Sequence, residues 1–346
     1  MANVTNMKKA EKVREDDYIY LSAMVRTREN RRINYDALLR MADAKDQSEM
    51  LKMLPEYSVE PIYSENGAFD AEETVNSYLA EEFRVITKSM PQPRILDFLR
   101  VSYDCHNLKT VIKCMARGIE DIDDLLIDLG TVPASQVYDA VKRRELDIFP
   151  KNMANAFPKA ESAFSESGDP KLIDSILDEA CYADMLDTVH SYNKEYFRRL
   201  VEIRIDTTNI LTAVRTMRLR DTTGLFASMF ICGGSLDRKF FEKAMLSGEG
   251  ALISALAAKG YAIASSNDTE LSLTVLAKNC EDMYMKYVDS AYFNDDLMRK
   301  LRFSYPTKIF DSVYFEIDEN GKPYYVASVI EKTVGLFGGK TVSGCV

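Results

Sequence analysis

Apolar residues recur along most of this chain in steps of three and four, the spacing that lines one face of an α-helix. The longest such pattern predicts a helix over 192–218, with Tyr196, Leu200, Ile203, Ile210, Val214 and Met217 on one stripe and Thr207 among them. A second helix after Pro93 carries Phe98, Val101, Cys105, Leu108, Ile112 and Met115. Adding 102 to each of these six numbers gives Leu200, Ile203, Thr207, Ile210, Val214 and Met217. Breaks fall near Pro91-Gln92-Pro93, Gly118, Gly130 to Pro133, Gly168-Asp169-Pro170, Gly233-Gly234 and Ser265 to Asp268. Asp169 followed by Pro170 reads as an N-cap and first helical residue. Ser235 or Asp237 is the expected cap of the helix after Gly234.

The match between the two helices extends to polar positions. Asp104 and Asn107 align with Asp206 and Asn209, and Lys113 aligns with Arg215. A second echo pairs the segment that begins at Gly130 with the one that begins at Gly234, at an offset of 104. Two echoes at nearly equal offsets indicate an internal repeat of about one hundred residues. The chain has 346 residues, room for three copies, and we read it as all-α with helical domains over 1–118, 119–221 and 222–346. One exception is expected: the alternating run from Val313, Asn320-Gly321 and the apolar run to Ala327 predict a short β-hairpin over 313–327.

Composition narrows the function classes. Hydrophobic residues make up 46% and charged residues 28%, enough to build a packed core. A formal net charge of -10 argues against nucleic acid as the main partner. No uninterrupted apolar run approaches the roughly 18 residues of a membrane span. The polar segment from Met1 to Asp17 has no secretion signal, so a cytoplasmic location is expected, with membrane association only through a partner. The six scattered cysteines then read as reduced thiols, several of them small core residues.

Candidate chemistry is thin. Cys105 and His106 are neighbours on a helix and point about 100° apart, which disfavours a catalytic thiol–imidazole pair. His190 reads as a solvated or capping residue. Val334 to Thr341 resembles a phosphate-binding loop through Gly338-Gly339-Lys340-Thr341. Its first glycine is replaced by Val334 and no helix has room to follow, so nucleotide binding is not expected. Asp121 to Asp128 is the densest carboxylate cluster. On a helix, Asp124 and Asp128 would share a face, as a metal-dependent helical enzyme requires; Asn294-Asp295-Asp296 is its nearest partner cluster. The alternative is a solvated face and helix-start acids.

The mid-helix Asp104, Asn107, Asp206 and Asn209 have two readings. One is hydrogen bonding to the backbone of a neighbouring helix, repeated in each domain; the other is a set of partner contacts. Arg204, Arg215, Arg218 and Arg220 form a basic helix end, either balancing the helix dipole or docking a partner.

The segment Arg204 to Leu219, with Tyr103 to Ile112, resembles the repeated Asp-x-x-Asn-[Ile/Leu] helix of the C-type subunit of bacterial and archaeal A/V-type ATPases, whose eukaryotic counterpart is the d-type subunit. That resemblance implies a funnel of three similar helical domains around a pseudo-threefold axis. It implies a central-stalk protein without chemistry or cofactor of its own, coupling ATP turnover to ion transport. Its partners would be the central shaft and the membrane rotor ring. No Asp-x-x-Asn motif follows Pro323, where a third copy would fall. A helical scaffold of another complex is the alternative to this reading.

Overall fold

A computed structural model describes residues 19–29, 31, 33–192, 195–219, 224–261, 263 and 272–293. The expected hairpin at 313–327, the glycine-lysine loop at 338–341, the Asn294–Asp296 cluster and Arg220 lie outside these residues. Within them the chain divides into two compact units, one of the residues up to Arg94 together with 289–293, the end of the last helix, and the other running from Ile95 to Val288.

The described residues are mainly helical. The first unit contains α1 (Ile19–Glu29), α2 (Tyr35–Ala42), α3 (Gln47–Met53) and α4 (Ala71–Ser89). Between α3 and α4 lies a two-stranded antiparallel hairpin, β1 (Ile62–Tyr63) and β2 (Phe69–Asp70), with Tyr63 opposite Phe69. Gly67 takes its turn at φ 77°, a conformation open to glycine at little cost. Asn34, Asp46 and Asp70 cap α2, α3 and α4 by accepting backbone N–H groups. Met41, Leu51, Leu54 and Val59 make one small core cluster in this unit, and Leu21, Val25, Leu79, Phe83 and Ile86 are buried on α1 and α4. Glu82, buried on α4, accepts a hydrogen bond from Arg28 on α1.

The second unit shows the repeat as architecture. It begins with α5 (Asp97–Ala116), α6 (Ala134–Lys142), α7 (Lys151–Ser167) and α8 (Pro170–Ser191). It continues with α9 (Glu195–Arg218), a short α10 (Gly224–Met229), α11 (Arg238–Met245), α12 (Glu249–Ala258) and α13 (Leu273–Phe293). Apart from α10, the order long helix, short helix, helix, long helix occurs twice. Asp169 caps α8 and Pro170 is its first residue. Asp237 caps α11 through the Phe240 N–H; Ser235 is engaged elsewhere.

Both predicted stripes face the core. Phe98, Val101, Cys105, Leu108 and Ile112 are buried on α5, while Met115, in its last turn, is exposed. On α9, Tyr196, Leu200, Ile203, Thr207, Ile210 and Val214 are buried. The second half of the unit packs Ile210 and Val214 against Phe226, Leu236, Phe241, Leu252, Leu256 and Leu276. Phe226 and Phe241 are fully buried with ring centroids 5.4 Å apart. Burial of such side chains contributes about 1.5–3 kcal/mol each, which favours helices packed on their stripes over isolated ones.

The acidic segment 121–128 is not a helix. Gly118 turns left-handed at φ 69° after α5, and only Asp123–Leu125 forms a single 3₁₀ turn. Asp124 and Asp128 therefore do not share a helical face. Asp128 instead accepts the N–H of Ala134 at the start of α6, at 2.8 Å.

Candidate functional site

Asp104 sits in the middle of α5, fully buried, where a helix gives its carboxylate no partner of its own. The loop before α6 supplies them. Thr131 donates its backbone N–H at 3.0 Å and its hydroxyl at 2.5 Å, and Val132 donates its N–H at 3.0 Å. One turn along, Asn107 closes both ends of one backbone position. Its side-chain amide donates to the Ile127 carbonyl and accepts the Ile127 N–H, each at 2.9 Å. Together Asp104 and Asn107 clamp residues 127–132 against the helix.

The same clamp is built on α9. Asp206 accepts from the Ser235 N–H at 3.1 Å, the Ser235 hydroxyl at 2.6 Å and the Leu236 N–H at 3.0 Å. Asn209 donates to the Ile231 carbonyl at 2.8 Å and accepts its N–H at 2.9 Å. The two sequence echoes are therefore halves of one device. From Asn107 to Ile127 is 20 residues and from Asn209 to Ile231 is 22, so the second spacer is two residues longer. That difference turns the helix offset of 102 into the loop offset of 104. The partner of each carboxylate is a loop rather than the neighbouring helix expected from sequence.

Each clamp has its own reinforcement. In the first, Arg100 donates Nε–H to the Leu129 carbonyl at 3.2 Å and a terminal N–H to the Gly130 carbonyl. In the second, the Tyr261 hydroxyl donates to Asp206, and Arg199 reaches the Tyr261 oxygen at 3.3 Å. Burial and the Asp206 carboxylate push the Tyr261 hydroxyl up to about 12. Both loops also need glycine for close approach. A Cβ on Gly130 or Gly234 would collide with the carboxylate of Asp104 or Asp206.

Another buried aspartate escaped the sequence reading. Asp184 on α8 accepts the N–H groups of Asn152 at 2.8 Å and Met153 at 2.9 Å, in the first turn of α7. An aspartate in a helix interior was the available signal, as at Asp104.

Burial dominates at Asp104 and Asp184, and it raises both carboxyls above their ordinary value of 3.8 despite the hydrogen bonds that oppose it. The folded protein then holds more protons than the unfolded chain between 3.8 and each raised value. In that window these two groups make stability fall as pH rises; their contribution is fully present below 3.8. Urea midpoints measured across the acid range should show this slope in the parent and a flatter one in Asp104→Asn.

The remaining candidates separate. Lys113 on α5 pairs with Asp174 on α8 at 2.9 Å, while the aligned Arg215 is exposed and pairs with no described residue. Arg218 makes a two-point pair with Glu249 at 3.1 and 2.6 Å, fastening the end of α9 to the start of α12. Arg204 lies 4.4 Å from the Tyr284 ring centre and pairs with Glu281 on α13 at 3.2 Å. The Cys105 thiol is directed at α8 rather than at an imidazole. His190 is exposed in the last turn of α8. Among the described residues, no group of three or more His, Cys, Asp or Glu side chains is placed to hold a metal ion. No described helix is long and apolar enough to cross a membrane.

A family model described as "ATP synthase (C/AC39) subunit" matches residues 21–298, most of the chain and both clamps. No curated protein matches the chain.

Proposed function

The chain belongs to the ATP synthase (C/AC39) subunit family, and from that premise we propose that it is a non-catalytic central-stalk component of a rotary A/V-type ATPase. It links the rotating shaft to the membrane rotor ring and couples ATP turnover to ion transport. It lies on the cytoplasmic side, peripheral to the membrane through the ring. It works with no nucleotide, metal or cofactor of its own.

The family match over 21–298 carries this reading. The use of the buried polar side chains supports it. Asp104, Asn107, Asp206, Asn209 and Asp184 spend their hydrogen-bonding capacity on fixing backbone, as suits a stiff connector rather than a reaction centre. Exposed Arg215 and the exposed end of α9 at Leu219 are our candidates for partner contact.

The test is reconstitution of the rotary complex with and without this chain. Without it, the head should still hydrolyse ATP while ATP-driven ion transport into vesicles is lost, and adding the chain back should restore transport. Undiminished transport without the chain, or ATP hydrolysis by the isolated chain, would overturn the proposal.

A further inference from the structure

Two thiols meet inside the second unit, and the clamps use neither. Helices α5 and α8 run antiparallel, with Lys113 opposite Asp174 and Lys109 opposite Asp178. Farther along the same seam, Cys105 Sγ donates to the Leu177 carbonyl at 3.5 Å, and Cys181 Sγ donates to the Val101 carbonyl at 3.8 Å. Val101 lies one helical turn before Cys105, and Leu177 one turn before Cys181. Each thiol therefore crosses to the turn that precedes the other cysteine, and the two sulfurs pass side by side.

We propose that Cys105 and Cys181 are a paired oxidation site, joined as a disulfide between α5 and α8 when the protein meets a small peroxide. This site does not depend on the rotary role.

The chemistry balances without any other group. The Cys105 sulfur attacks the peroxide O–O bond, forms a sulfenic acid and releases one water. The Cys181 sulfur then attacks the Cys105 sulfur, the S–O bond breaks, and the thiol proton leaves with the hydroxyl as a second water. The two sulfurs give up two electrons in all, and the peroxide takes them. Closing the bond requires the sulfurs to approach to a separation of about 2 Å in disulfide geometry.

The order of events follows from position. Both thiols are buried, and Cys105 is the one in contact with a half-exposed group: its sulfur lies 3.8 Å from Asp178 Oδ1, and the Asp178 side chain is 35% exposed. Lys109, one turn along α5, pairs with that carboxylate at 2.5 Å. Burial alone would lower the Lys109 ammonium, but the paired Asp178 and Asp174 carboxylates outweigh it and hold it charged, a cation beside the reacting sulfur. The neighbouring Cys105 sulfur, together with burial, pushes the Cys181 thiol well up. Cys181 serves as the resolving thiol, suited to react once Cys105 is oxidised.

The test treats the folded full-length chain with hydrogen peroxide, blocks the remaining thiols, digests the protein and maps the peptides by mass. The expected product is one linked pair, Cys105 with Cys181, two hydrogens lighter than the separate peptides. The thiol count should fall by two and recover fully with a reducing thiol. In Cys181→Ser, the sulfenic acid at Cys105 should persist and be trapped by a dione reagent. Recovery of both thiols unlinked, or oxidation confined to the exposed Cys232, would overturn the proposal, and the parent protein alone suffices for that result.

Discussion

Asp206→Ala is expected to lower the stability of the second unit by roughly 3–5 kcal/mol, the scale of removing a buried charged acceptor from several donors. The Ser235 N–H and hydroxyl, the Leu236 N–H and the Tyr261 hydroxyl would all lose this acceptor together. Water cannot easily replace it, because the carboxylate is fully buried and the loop lies directly on the helix. Asp104→Ala should cost less, since Arg100 independently holds the Leu129 and Gly130 carbonyls of the first loop. Urea midpoints of the two variants should therefore rank Asp206→Ala below Asp104→Ala. Equal midpoints would mean that the arginine shares none of the burden.

The second large effect is expected from a single methyl group. Gly234→Ala should destabilise by roughly 2–4 kcal/mol, combining overpacking with loss of the carboxylate's bonds. The new Cβ would collide with Asp206 Oδ1 and stand 3.1 Å from both Asp206 Cγ and Ile205 Cγ2. No flexible side-chain end is there to move aside, because the carboxylate is held from four directions. Gly250→Ala is the control. Nothing lies within 4 Å of its Cβ, and it sits in α12, where alanine gains up to about 1 kcal/mol over glycine. Thermal unfolding should show a clear loss for Gly234→Ala and none for Gly250→Ala. Asp206→Ala and Gly234→Ala together should cost less than their sum, because both break the same contact.

Much of this was legible in the chain before its structure. The two apolar stripes, the Asp169-Pro170 start and the aligned Asp and Asn positions follow from helical spacing and local capping chemistry. What spacing could not convey was the partner. A buried aspartate in mid-helix announces that donors must exist but not which segment brings them. The offsets of 102 and 104 contained the answer, since a mismatch of two places an insertion between helix and loop. The acidic segment misled because charge type sets no backbone conformation; Gly118 ends the helix first, and Asp128 turns to cap α6. The hairpin at 62–70 carries Asn66-Gly67 between its strands, the signal read at 320–321, but each strand has only two residues and no alternation to notice. Asp184 went unseen because its aspartate does not recur on α13, the helix that takes the place of α8 in the second copy.

The clamps also decide how load passes along the chain. A loop tethered only at its ends yields one bond at a time, like a seam being unpicked. Here the Asn209 pair and the Asp206 triad grip the same short strap at two points, while its far end continues into α11. A pull or twist on α11 must therefore strain several short bonds in parallel, and it enters α9 at mid-length instead of at a frayed end. Motion delivered to the short helix would reach the long one as rotation of a nearly rigid body, with little slack to take up first.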